Sequence, residues 1–75
     1  MRDITVDGVT YTVSDLMRDP SARIIYLGNQ VVGKIGVWGG RYRLLTADGT
    51  PTNHYAARND EGVEVLVERL HRDRH

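Results

Sequence analysis

Apolar and polar residues alternate on both sides of Asp7-Gly8, with Ile4 and Val6 before the pair and Val9, Tyr11 and Val13 after it, separated by Asp3, Thr5, Thr10 and Thr12. A period of two is the mark of a half-buried strand, and Asp-Gly supplies the positive φ angles that a tight hairpin turn needs. Pairing Val6 with Val9 sets Ile4 against Tyr11 and Arg2 against Val13, so this hairpin has one apolar side. Ser14 is placed to cap a short helical turn through Asp15, Leu16, Met17 and Arg18 that Pro20 stops. Residues 14–19 therefore read as a connector.

The pattern then resumes. Ala22 to Leu27, Gln30 to Trp38 and Arg41 to Thr46 form three strands of a meander, turned at Gly28-Asn29 and Gly39-Gly40. Asp48-Gly49 leads to a weaker strand over residues 52–57, which Pro51 marks as starting late or lying at an edge. Beyond it the period changes to that of a helix, since Val63, Leu66, Val67 and Leu70 form a single stripe. Asn59 caps this helix, Asp60 and Glu61 occupy its first turn, and Arg69, His71 and Arg72 its last, as the helix dipole favours. The expected fold class is α+β: an antiparallel β-meander with an N-terminal β-hairpin and a C-terminal amphipathic helix packed on one sheet face. It is read as one domain, with residues 1–20 as hairpin and connector, 21–58 as meander, 59–72 as helix and 73–75 as tail.

Two-residue turns at 28–29 and 39–40 fix which side chains share a face. Tyr26 meets Val31, Ile24 meets Gly33, Val37 meets Tyr42 and Ile35 meets Leu44, so the face expected beneath the helix holds these apolar residues, with Tyr55 joining them. The opposite face holds Lys34, Trp38, Arg41, Arg43 and His54, with Ile25, Leu27, Val32 and Leu45 toward its other part. An indole among several cations on an open sheet surface is the strongest functional lead in the chain. The plain alternative is a local cation-π cluster worth about 0.5–1 kcal/mol. Gly33 and Gly36, inside a strand, mark a bulge or a close approach of another group.

Seventy-five residues build one core of limited stability, and the absence of cysteine excludes disulfides. Self-association is one expected source of added stability, and the strand at residues 2–6 offers an edge for pairing with a second copy. No apolar run is long enough to span a bilayer and the first residues lack a secretory pattern, so a cytoplasmic location is expected and no membrane contact. Ten basic and ten acidic side chains cancel, but unevenly: residues 1–20 carry minus two, 21–58 plus four and 59–75 minus two. Nine of the ten basic residues are Arg and Phe is absent, as GC-rich coding in a bacterium or its phage produces.

From Val31 to Leu70, about half of the chain, the order of strands and closing helix, with Gly39-Gly40-Arg41-Tyr42-Arg43 in a middle hairpin and Tyr55 to Glu61 leading into the helix, resembles the small DNA-binding domains of plant ethylene-response factors and integrase arm-binding domains. In that family the sheet face lies in the major groove, and its Arg and Trp side chains make the contacts. The resemblance implies such a role for Trp38, Arg41 and Arg43, with Lys34 as a weaker match. The chain departs from the family in being neutral overall, and in having Gly62 or Val63 where an alanine is usual.

Catalysis has no visible machinery. Ser14 and Asp15 have no candidate base, Asp7 and Asp48 serve turns, and the glycines do not form a phosphate-cradling loop. His71 and His75 stand four apart, a spacing that can bind metal with His54 as a third ligand, but they read as solvated residues of a fraying terminus. No metal and no cofactor are expected. Two functions follow: a non-enzymatic module that binds nucleic acid through Lys34, Trp38, Arg41, Arg43 and His54, as a phage or mobile-element accessory protein would, or a protein-interaction domain, homodimeric or inhibiting a host protein, that uses Trp38 and an Arg as anchors.

Overall fold

A computed structural model describes residues 1–18 and 21–74. Its strands are β1 (Arg2–Val6), β2 (Val9–Val13), β3 (Met17–Arg18), β4 (Ser21–Leu27), β5 (Gln30–Trp38), β6 (Arg41–Leu45) and β7 (Pro51–Ala57), followed by the helix α1 (Asp60–Arg74). All pairings are antiparallel and the sheet order is β1-β2-β4-β5-β6-β7, with β3 paired to β4 alongside this path. The sheet curls into a half-barrel around α1, which touches both edge strands, β1 and β7, and also β5 and β6. This is the α+β architecture that the hydrophobic pattern predicts.

The first hairpin has the expected register throughout, from Val6 against Val9 to Arg2 against Val13, and Asp7 and Gly8 carry φ angles of 51° and 80°. It extends the main sheet, because Thr12 pairs with Tyr26 and Val13 with Ile25. The helical connector over residues 14–19 is not formed where the chain is described. Ser14 instead prolongs the sheet: its amide donates to the Ile24 carbonyl at 2.9 Å, and its hydroxyl accepts from the Ile24 amide at 2.8 Å. A side chain well suited to cap a helix is here a strand partner, since the same hydroxyl satisfies a backbone group of β4.

Two strands differ in phase from the sequence pattern. At the β4–β5 hairpin, Leu27 pairs with Gln30 and Tyr26 with Val31 as expected, but Ile25 then pairs with Gly33. Val32 is an extra residue in β5, a bulge next to a glycine, and it shifts everything beyond it by one position. Ile25 and Val32 therefore lie in the core with Leu27 packed against it, while Ile24 moves to the face shared by Lys34. At the β6–β7 connection, a two-residue turn at Asp48-Gly49 would set Arg43 against His54. The loop instead holds the five residues between Leu45 and Pro51, and Arg43 pairs with Tyr55. An odd loop reverses the phase of the following strand: Thr52, His54 and Ala56 turn inward, and Pro51, Asn53, Tyr55 and Ala57 turn outward.

This loop is held by its own polar groups. Asp48 accepts hydrogen bonds from the Thr46 hydroxyl, from the Thr50 hydroxyl at 3.0 Å and from the Thr50 amide at 3.2 Å. The Thr46 and Thr50 hydrogen bonds hold the Asp48 carboxyl below the usual aspartate range.

The core lies between the concave side of the sheet and α1. Tyr11, Val13, Ile25, Ile35 and Leu44 meet Val63, Leu66, Val67 and Leu70, the stripe read from the sequence. Asn59 caps the helix, accepting the Gly62 amide on its side-chain oxygen at 2.8 Å and the Val63 amide on its carbonyl at 3.1 Å. Arg2 on β1 clamps the same end, donating to the Asp60 carbonyl at 3.0 Å and to Glu64 at 2.5 Å. His71, expected in solvent, is buried. Its Nδ1 lies 2.8 Å from the hydroxyl of the fully buried Tyr11, and its Nε2 lies 3.3 Å from an Asp7 carboxylate oxygen. The last turns of α1 are thus bound to the first hairpin instead of fraying, while His75 lies outside the described residues.

Candidate functional site

Helix α1 covers the concave side of the sheet, so the convex side of β5, β6 and β7 remains open. The Gly39-Gly40 turn, with φ angles of 55° and 80°, sets Trp38 against Arg41, Val37 against Tyr42 and Gly36 against Arg43. Partners in a ladder share a face, which places Lys34, Gly36, Trp38, Arg41, Arg43 and Leu45 together on the convex side, with Tyr55 and Ala57 added from β7. Of the five site residues expected from the sequence, four therefore come together. His54 does not: it faces inward, and its Nε2 is 3.6 Å from Asp73 on α1. Tyr55, expected beneath the helix, takes its place.

Gly36 forms the floor of the site. A Cβ there would come within 3.0 Å of the Trp38 ring and 3.3 Å of a Leu45 methyl, so the indole lies down on a strand position that has no side chain. Arg43 projects between the aromatic residues of the two neighbouring strands. Its guanidinium carbon is 5.2 Å from the Trp38 ring centroid and 4.8 Å from that of Tyr55. Its Nε donates to the Thr52 carbonyl at 2.6 Å, which fixes the head group while leaving both Nη atoms without a carboxylate partner among the described residues. Two cation-π contacts of about 0.5–1 kcal/mol each, together with that hydrogen bond, account for the order of the cluster. They do not account for its exposure: Trp38 remains 46% and Tyr55 45% accessible.

Charge is segregated in space as well as along the chain. Among the described residues, Lys34, Arg41, Arg43 and Arg58 have no carboxylate within 4.0 Å. The ion pairs lie instead on α1, the first hairpin and the residues flanking that hairpin, as in Arg2 with Glu64, Arg72 with Glu68, Arg69 with Asp73, and Met1 with Asp15. Arg23, the remaining described cation of the basic middle, is spent on structure: it faces inward and donates to the Ser14 carbonyl at 2.9 Å.

No group of three or more His, Cys, Asp or Glu side chains among the described residues could hold a metal ion, and no described helix is long and apolar enough to cross a membrane. The hollow beside Arg41, lined also by Tyr55, Ala56 and Ala57, is shallow and open. The arrangement can stack on flat groups and attract anions; the face carries no paired acid and base. Comparison with protein-family models, with curated proteins and with solved structures finds no match to the chain.

Proposed function

We propose that the chain is a non-enzymatic binding module that recognises nucleic acid through the convex face of β5–β7, with Trp38, Arg41, Arg43 and Lys34 as contacts and Tyr55 as a fifth. The reading is carried by one observation: the cations of this face have no carboxylate partners among the described residues and flank two half-exposed rings, while the paired carboxylates lie on the helix and the first hairpin. A polyanion gains from such a division even when the whole chain is neutral, because screening confines attraction to about 10 Å. A protein partner or a second copy is the other function expected from the sequence, and the exposed rings suit it as well.

The test is a titration of a fluorescently labelled oligonucleotide, followed by anisotropy over a salt series. With about three phosphates neutralised, a fourfold rise in salt should cost about 20- to 40-fold in affinity. Arg41→Ala should lower both affinity and salt slope. No measurable affinity at low ionic strength would overturn the proposal.

A further inference from the structure

We infer that the nucleic acid this face takes is single-stranded, held by bases stacking on Trp38 and Tyr55; the inference rests on the proposed function and names its ligand. What distinguishes single strands from duplexes is the availability of base faces. In a duplex the faces are already stacked, and a protein reads edges and phosphates with extended polar side chains. In a single strand the faces are free, and aromatic rings beside cations are the surface that captures them.

The convex face has the second composition. Arg43, the central cation, is a poor groove reader, because its Nε is bonded to the Thr52 carbonyl and its head is confined between two rings. Lys34 is half-buried. Arg41 alone of the three is exposed. The rings, by contrast, are held ready for contact. The indole rests on Gly36 and cannot sink further, Tyr55 stands directly across from Arg43 on the edge strand, and each keeps nearly half of its surface open. Ordering them before binding removes most of the entropy cost of using them. The Arg43 guanidinium between them is then placed to meet the phosphate that links two stacked bases. The convex shape also suits a flexible strand, which can drape over a ridge.

Trp38 is the only tryptophan, so its emission reports on the site directly. The experiment compares a short mixed-sequence DNA strand, the blunt duplex of the same sequence and inorganic polyphosphate at one low salt concentration, using indole quenching and labelled-strand anisotropy. The single strand should bind at least about tenfold more tightly than the duplex and quench Trp38, since each of two stacked bases contributes about fivefold or more. Tyr55→Ala, at an exposed edge position, should weaken single-strand binding about tenfold. Its circular dichroism should match that of the parent, and Trp38→Phe should retain more affinity than Trp38→Ala. Duplex affinity equal to or above that of the single strand would overturn the inference and leave the nucleic-acid reading standing. Polyphosphate binding as tightly as the strand, or Tyr55→Ala without effect, would overturn stacking. Absence of binding to all three ligands would remove both proposals.

Discussion

Replacing Gly62 by Ala tests how α1 is seated on the sheet. In the first turns of an ordinary helix this substitution stabilises, because Ala is favoured over Gly by about 1 kcal/mol. Here Gly62 is buried against the end of β7, and an added Cβ would lie 1.8 Å from the Ala57 carbonyl oxygen and 2.8 Å from its carbonyl carbon. Both neighbours are backbone, so no side chain can rotate away; the helix start must retreat by more than an ångström. That retreat costs about 1–3 kcal/mol as overpacking. It also strains the cap, since the Gly62 amide donates to the Asn59 side chain at 2.8 Å, an interaction worth about 1 kcal/mol. The net expectation is a loss of about 2 kcal/mol, which for a domain of this size lowers the melting midpoint by about 8–16 °C. Urea and thermal unfolding followed by circular dichroism measure it, with Val65→Ala on the exposed side of α1 as the reference substitution. A Gly62→Ala protein as stable as the parent, or more so, would refute the close approach of β7 and helix.

Tyr11→Phe removes the buried hydrogen bond to His71 and should cost about 1 kcal/mol in urea unfolding; an unchanged midpoint would mean that this contact does not tie α1 to the first hairpin. The lowered Asp48 pKa sets the sign of a pH effect: its contribution to stability is present above the unfolded-state pKa and is lost as pH falls through the folded-state value, that is below about pH 4. Asp48→Asn should therefore be less stable than the parent at neutral pH and approach it under acid conditions, and thermal midpoints that differ equally at all pH values would contradict the role given to the loop.

Much of the fold was legible because its signals are local. The Asp7-Gly8 and Gly39-Gly40 turns fix their hairpins within a few residues, and the register they imply is the one observed, as is the stripe of Val63, Leu66, Val67 and Leu70. The grouping of Trp38 with Arg41, Arg43 and Lys34 followed from the second of these turns alone. Tyr55 and His54 were exchanged because their phase depends on a loop of five residues, whose length is set by how Thr46, Asp48 and Thr50 bond to one another.

What the amino-acid order determined by itself, then, is a set of features decided by neighbours in the chain: period, the tight turns at Asp7-Gly8, Gly28-Asn29 and Gly39-Gly40, the Asn59 helix cap and the sign of charge in each segment. Only the tertiary structure decided the bulge at Val32, the use of Ser14 as a strand partner, the burial of His71 beneath the first hairpin and the arrival of Tyr55 beside Arg43. In each of these the chain had more than one local option. The choice is settled by the need to close one small core around the helix while pairing the polar groups that this closure buries.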